Sequence, residues 1–369
     1  MIITKEGITL ASDLAITNPN NKSYNCGDKI FKITDEFPIG ILINGNVDFE
    51  EVPLETLIGE FTKTIDFKNL KSVESVKNGF LEYLSSNTNH TPVDEYISWV
   101  LEDFKKELIE EIDEYGFDEA LKYYTSSELN PIVENYENFK NEFDDIIPCD
   151  KDKSEYNLKL WKIFSHQLSY EGTGMIFAGF NAGEFYPTFF EINLHCNDNG
   201  KIIYEEVDFE INTKEPLIKV FAINEEAYTF ITGTSTEFEE YVETYVEQSN
   251  ETFLLELEET LHDEEEFDIK QINDISSICK KLIDNSYSNM SQTIKDYKLN
   301  ALYEASESTD YLPKMILWDL ADYLIKLTAL KQKLSSDYET VSSETEIAFI
   351  NKTHNFKWVK NDNETFKYK

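Results

Sequence analysis

The start of the chain constrains the fold most, because short apolar runs alternate there with turn residues. Runs rich in Ile and Leu cover Ile8–Thr17, Lys29–Thr34 and Phe37–Phe49, and clusters of Asn, Asp and Pro separate them. Apolar runs of this length between turn residues predict strands. Asp13 and Lys29 lie inside the runs, and burying either charge alone would cost several kcal/mol. If both side chains point inward, we expect them to form an ion pair.

These runs carry a family resemblance. The sequences ASDLAIT, DKIFKI and PIGILINGNVDF, followed by VPLETLI, resemble the opening of a proteasome β-type subunit, a member of the N-terminal-nucleophile (Ntn) hydrolase superfamily. In that family the Asp and the Lys lie sixteen residues apart, as Asp13 and Lys29 do here (29 − 13 = 16). Gly45 stands where the family has the glycine of its oxyanion hole.

The resemblance implies amide or peptide hydrolysis. The family's nucleophile is the hydroxyl of an N-terminal Thr, whose own α-amine is the base. A Lys lowers the proton affinity of that hydroxyl, an Asp holds the Lys, and a glycine N–H stabilises the oxyanion. Asp13, Lys29 and Gly45 match these positions, and Thr234 stands where the family has a Ser that supports the amine. Thr234 also fits a helix N-cap without catalysis, and we favour that interpretation.

The nucleophile is missing from the matching position. Sixteen residues before Asp13 is position −3 (13 − 16 = −3), and Thr4 precedes Asp13 by only nine residues (13 − 4 = 9). We therefore expect the chain numbered from Met1 to be inactive as a threonine-type peptidase or amidohydrolase. Three explanations stay open: a start further upstream that supplies the Thr, a non-catalytic relative (a pseudoenzyme), or a resemblance in fold alone.

The rest of the chain alternates helical and strand patterns. Apolar residues at helical spacing follow Pro53, and residues 67–170 are predicted to form a helical layer plus an insertion. Strand patterns return at MIFAGF, EFYPTFFEINL and KIIYEEVDFEI, and Lys219–Thr232 is predicted to add strand structure. Residues 239–310 are predicted to be helices, with a looser connection over Ser286–Ser308. A helix after Leu312-Pro313 and strands at Glu346–Asn351 and Asn355–Lys360 complete the prediction.

The charge excludes one class of partner. The chain has 72 Asp and Glu against 33 Lys and no Arg, a net charge of −39. Such a surface repels a phosphate backbone and offers no guanidinium to hold one, so we expect no nucleic acid partner. The five histidines show no metal-ligand spacing, and no glycine-rich phosphate loop is visible, so neither a metal nor a cofactor is predicted.

The cysteines and the hydropathy pattern predict a cytoplasmic protein. Cys26, Cys149, Cys196 and Cys279 show no C-x-x-C spacing, which favours reduced thiols. The N-terminus lacks the pattern of a signal peptide, and no apolar run is long enough for a membrane span.

Together these patterns predict a single domain over residues 1–369. Strand clusters flanked by helices indicate the α+β class, as a four-layer αββα sandwich of the Ntn type with an acidic helical insertion. The alternative to a hydrolase is a non-catalytic protein of the same fold. In that hypothesis apolar helix faces support self-association, and acidic faces bind a basic protein or peptide partner.

Overall fold

Two antiparallel sheets of five strands each carry the fold in the computed structural model of the chain. The structure describes residues 1–17, 23–25, 27–35, 37–66, 70–121, 124, 141–168, 171–207, 214–221, 223–263, 268–335 and 340–361. Helices and antiparallel strands share these residues, so the α+β class predicted from the sequence is confirmed.

The strands fall into three stretches of the chain. They are β1 (Ile2–Thr4), β2 (Gly7–Asp13), β3 (Ala15–Thr17), β4 (Ser23–Asn25), β5 (Ile30–Lys32), β6 (Ile39–Gly45), β7 (Asp48–Phe49), β8 (Val52–Pro53), β9 (Thr173–Gly179), β10 (Thr188–Asp198), β11 (Lys201–Glu206), β12 (Leu217–Ile218), β13 (Thr345–Asn351) and β14 (Asn355–Asn361). The first sheet has the order β12-β1-β2-β13-β14, and the second sheet has the order β11-β10-β9-β6-β5. Strands from both ends of the chain therefore meet in the first sheet.

The helices lie between and after these strands. They are α1 (Leu54–Thr64), α2 (Val73–Asn87), α3 (Val93–Tyr115), α4 (Phe117–Ala120), α5 (Lys153–Leu168), α6 (Glu225–Thr232), α7 (Thr236–Asp263), α8 (Ile269–Thr309) and α9 (Lys314–Leu334). A capping box between Ser72 and Ser75 starts α2, and another between Asp268 and Gln271 starts α8. Each box satisfies N–H groups that the first helical turn leaves without a partner.

One hydrophobic cluster contains side chains of both sheets. Ile8 and Leu10 alternate along β2 and lie in this cluster with Leu42 of β6 and Ile176 of β9. The alternate apolar residues Ile8 and Leu10 of β2 therefore face the second sheet.

Helices cover the other face of each sheet. Leu57 and Phe61 of α1 and Phe80 of α2 share a cluster with Ile41 and Phe177 of the second sheet. A further cluster joins the first sheet to α6 and α9 through buried side chains that include Ile2, Ile218, Ala227, Leu317 and Ala321. Helices α3, α4 and α5 have a cluster of their own, in which Phe104, Trp161 and Phe164 are buried.

Two stretches differ from the sequence-based prediction. Most of Lys219–Thr232 was expected to be strand, but residues Glu225–Thr232 form α6, because Ala227 and Ile231 pack together against the first sheet at helical spacing. The looser connection expected over Ser286–Ser308 is also wrong, since α8 continues to Thr309. Contacts with α7 stabilise this part of α8: Ser291 Oγ donates to Glu243 Oε1 at 2.5 Å.

Candidate functional site

The two charges singled out in the sequence meet where the two sheets face each other. Lys29 Nζ lies 2.8 Å from Asp13 Oδ1, and the two side chains are only 13% and 15% exposed. Asp13 ends β2 of the first sheet, and Lys29 precedes β5 of the second sheet. The predicted contact is confirmed, and its low exposure means that solvent screens it less than a surface ion pair.

Main-chain donors fix the carboxylate of Asp13. Its Oδ2 accepts hydrogen bonds from Ala15 N at 2.9 Å and from Ser342 N at 3.1 Å. The second donor belongs to the segment between α9 and β13, more than three hundred residues away along the chain (342 − 13 = 329). Because Oδ2 is held in this way, Oδ1 stays directed at the ammonium of Lys29.

A buried glutamate holds the main chain of Lys29. Glu346 Oε1 accepts hydrogen bonds from Lys29 N and from Ile30 N, both at 2.7 Å. Burial raises the pKa of Glu346 to about 8, although these two donors act in the opposite direction. Glu346 belongs to β13, so its carboxyl group joins the first sheet to the second.

Gly45 lies at the end of β6 and lines the same cavity as Asp13 and Lys29. Its φ angle of +74° is in the left-handed region that favours glycine, and a Cβ at this position would lie 3.0 Å from Gly172 O. Ile43 N donates to Lys29 O at 2.8 Å, which places Lys29 beside the same strand. Three of the four candidate residues are therefore brought to one cavity.

Thr234 is not one of the residues that line this cavity. It lies between α6 and α7, after Gly233, which ends α6 in a left-handed conformation. Ser235 caps the next helix, because its Oγ accepts a hydrogen bond from Phe238 N at 3.1 Å. This turn does cap a helix, but the capping residue is Ser235 and not Thr234.

The cavity has a volume of about 790 Å³ and reaches through a gap in the first sheet. The ladder between β1 and β2 covers Gly7 to Thr9, whereas the ladder between β2 and β13 continues to Asp13. The edge of β2 beyond β1 lines the cavity on one side, and residues 219–221 line it on the other. We call this opening, between residues 11–13 and residues 219–221, the β1 gap. Side chains of α6, α9 and β6 also line the cavity at the β1 gap, among them Ala227, Leu324, Thr328 and Leu42.

The main chain of Met1 lies at the inner end of the β1 gap. Met1 N donates to Lys219 O at 2.8 Å, and Lys219 N donates to Met1 O at 2.9 Å, as in a hydrogen-bonded antiparallel pair. Burial, and then the positive charge of Lys219, lower the pKa of the Met1 amine to about 5.

Two hydroxyl groups in the cavity wall already have partners. Ser12 Oγ donates to Asp13 O at 3.0 Å, and Thr340 Oγ1 accepts from Gln332 Nε2 at 2.9 Å. The cavity thus contains a cation, an orienting carboxylate and a glycine at a strand end. The hydroxyl groups of Ser12 and Thr340 form hydrogen bonds within the cavity wall and are not directed at Lys29.

Sequence reasoning missed Glu346, Ser342 and Lys219. Each acts on the site through its main chain or from a strand far away in the sequence. One signal was present, since Glu346 is the only acidic residue within the apolar strand β13.

Comparison with known proteins adds no assignment: no family model matches the chain, and no curated protein matches it. Among the described residues, no group of three or more His, Cys, Asp or Glu side chains is placed to hold a metal ion. The helices of the described chain include none that is both long enough and apolar enough to cross a membrane.

Proposed function

We propose that the chain has the four-layer αββα architecture of the Ntn hydrolases. Three hydrophobic clusters support this order of layers. One joins α1 and α2 to the second sheet, one lies between the two sheets, and one joins the first sheet to α6 and α9. In this proposal α3–α5 and the pair α7 and α8 are additions to the common layers.

We further propose that the cavity at Asp13 and Lys29 is an amide-hydrolase site of the Ntn kind. The observation that carries the proposal is the 2.8 Å ion pair at the open end of the β1 gap. Lys29 would lower the proton affinity of a nucleophilic hydroxyl, and Asp13 would hold Lys29 in position. The N–H of Gly45 would stabilise the oxyanion, an effect of roughly 3 kcal/mol in comparable sites.

The register of β1 gives the place of the nucleophile. Partners in the β1–β2 ladder have numbers that add to eleven, as in Ile2 opposite Thr9 (2 + 9 = 11). The position opposite Asp13 is therefore −2 (11 − 13 = −2), which is three residues upstream of Met1. A strand extended to that point would fill the β1 gap and bring its first residue to the ion pair. In this proposal the nucleophile is the hydroxyl of a residue at that point of the extended strand.

Adding the missing strand residues tests this function. Thr-Ala-Ala is placed ahead of Met1 behind a cleavable fusion, so that cleavage exposes the Thr as the first residue. A second chain with one more Ala places the Thr at −3, the position given by the family's spacing. Intact-protein mass spectrometry then measures covalent labelling by a β-lactone that reacts with N-terminal threonine.

We expect one of the two Thr chains to be labelled, and the chain that starts at Met1 to stay unlabelled. An Ala-Ala-Ala extension is the matched control, and Lys29→Gln in the Thr chain should abolish the labelling. Thermal unfolding of every variant establishes that it is folded. Equal labelling of Thr and Ala chains, or no labelling of either folded Thr chain, would contradict the proposal.

Binding without hydrolysis is the second candidate function. It is favoured by the engaged hydroxyls of Ser12 and Thr340 and by the mainly apolar side chains around the ion pair. A non-catalytic protein of this fold would keep Asp13 and Lys29 as a structural pair between the sheets. Folded Thr-extended chains that remain unlabelled would leave this candidate in place.

A further inference from the structure

The helices α7 and α8, of 28 and 41 residues, pair along one face of α7. Glu239 and Glu243 define this face, because Lys298 Nζ lies 2.8 Å from Glu239 Oε1 and Ser291 Oγ donates to Glu243 Oε1. Val242 and Val246 continue the same face at helical spacing and are half-buried. The orientation of α7 toward its neighbour is therefore known.

The face of α7 turned away from α8 is exposed and carries large apolar side chains among polar ones, which include Glu237, Gln248 and Glu259. Phe238, Tyr241, Tyr245 and Leu255 are between 58% and 70% exposed. With a turn of about 100° per residue, these four side chains lie within an arc of about 100° on the far side of the helix. Single exposed apolar residues are common, but a stripe of large ones along a helix marks an interaction surface. We call these four residues, three aromatic and one Leu, the aromatic stripe.

A row of carboxylates runs beside the aromatic stripe. Glu240, Glu247, Glu251 and Glu258 are all exposed, and their spacing places them within an arc of about 40°. This acidic row lies between the aromatic stripe and the face that meets α8. Over its whole length α7 has nine Glu, one Asp and no Lys or Arg.

We propose that the aromatic stripe and the acidic row form a docking surface for a basic amphipathic helix of another protein. An apolar face on the partner covers the stripe, and Lys or Arg residues along one edge of that face meet the acidic row. A second copy of α7 fits poorly, because a two-fold contact through the stripe would bring together two helices that carry ten acidic residues each and no Lys or Arg. The surface lies outside the cavity, so this proposal does not depend on the proposed hydrolase site.

A designed helix tests the docking surface on the full chain. The probe is a fluorescent peptide of about twenty residues, built from Leu at helical spacing with Lys along one edge. A second peptide has the same composition in shuffled order, so that charge is kept and the apolar face is lost. Fluorescence anisotropy at near-physiological salt gives the affinity of each. We expect the patterned peptide to bind about tenfold more tightly or better, since apolar anchors dominate such contacts.

Matched variants locate the binding surface. Tyr241→Ala with Tyr245→Ala should weaken binding by about tenfold or more, whereas Tyr297→Ala with Tyr303→Ala, equally exposed on α8, should not. Replacing the acidic row by Gln should raise the dissociation constant and reduce its dependence on salt. The control replaces four exposed acidic residues of α3 by Gln: Glu95, Glu102, Glu107 and Glu110.

Three results would overturn the proposal. Equal affinity for the patterned and shuffled peptides would mean that binding follows net charge alone. Equal weakening by the α3 or α8 controls would place the peptide elsewhere on the chain. A dimer seen by light scattering without peptide, and lost in the Tyr241 and Tyr245 variant, would make a second copy the occupant. Because all substituted side chains are exposed, circular dichroism should show every variant folded.

Discussion

Glu346 connects the two sheets through a single oxygen atom. Its Oε1 accepts two main-chain hydrogen bonds at the start of β5, while among the described residues no donor lies within hydrogen-bonding distance of Oε2. The side chain is fully buried. A buried carboxyl group with one unsatisfied oxygen favours its neutral form, which is the physical reason for its raised pKa of about 8.

This carboxyl group should make stability depend on pH. Between the ordinary value of 4.5 and about 8, the folded state keeps a proton that the unfolded state loses. The contribution of Glu346 is therefore complete below pH 4.5 and is lost as the pH rises through about 8. Glu346→Gln keeps an acceptor for Lys29 N and Ile30 N and cannot ionise. We expect this variant to gain stability over the parent chain, by several kcal/mol, between pH 5 and pH 9.

Denaturant unfolding at a series of pH values measures the difference between the two proteins. Glu344→Gln, two residues earlier and partly exposed, controls for the loss of a charge from the same segment. A constant difference between the Glu346→Gln variant and the parent from pH 5 to pH 9 would show that Glu346 does not carry this proton.

The sequence predicts some of the individual residues of the candidate site. Asp13 and Lys29 stand out because charges inside apolar strands need partners, and their contact is present. Gly45 lies at the same cavity, whereas Thr234 does not. The roles of Ser342 and Glu346 depend on β13 lying beside β2, a pairing of residues more than three hundred positions apart that local patterns do not encode.

Between β6 and β9 the two main chains come unusually close. Gly179 pairs with Ile39, and a Cβ on Gly179 would lie 2.2 Å from Pro38 O and 2.8 Å from Ile39 Cα. These are main-chain atoms where β6 begins and β9 ends, and both strands have a neighbour on each side in the second sheet, so the atoms have little freedom to move.

Two glycine substitutions should therefore have opposite signs. Gly179→Ala forces β6 and β9 apart and should destabilise the chain by about 3 kcal/mol or more. Gly59→Ala in α1 is the matched control: apart from its chain neighbours and the backbone of its own helix, no atom lies within 4 Å of the added Cβ, and alanine favours the helix by about 0.5–1 kcal/mol. Chemical denaturation measures both. Similar stabilities for the two variants would contradict the close approach.

The elements themselves follow the sequence where one face is buried. Ile8 and Leu10 of β2 are buried, and so are the helically spaced Leu54, Leu57, Ile58 and Phe61 of α1. The two wrong predictions of secondary structure concern α6 and α8, whose sequences do not clearly favour a helix. The helix α6 is only eight residues long, and its Tyr, Thr, Phe and Ile residues also favour strands. The second half of α8 is rich in Ser and Asn and is stabilised by contacts with α7.

For the whole molecule, charge is the dominant feature. Each of the 33 Lys can neutralise one acidic group, which still leaves 39 negative charges without compensation (72 − 33 = 39). Folding gathers these charges into a small volume, and their mutual repulsion opposes the folded state. The proposed docking helix would reduce this repulsion, because it brings positive charge next to α7, which carries ten acidic residues.

Salt should accordingly stabilise the folded chain. Raising NaCl from about 10 mM to about 300 mM shortens the screening length from about 30 Å to below 8 Å, so distant carboxylates no longer repel one another. Ion pairs are weakened too, but exposed pairs contribute only about 0–1 kcal/mol each, and the 39 excess acids decide the sign. We expect the melting temperature, followed by circular dichroism, to rise by several degrees. The rise should be smaller when Glu240, Glu247, Glu251 and Glu258 are replaced by Gln. A melting temperature that falls with salt would mean that attraction within ion pairs, not repulsion, dominates this surface.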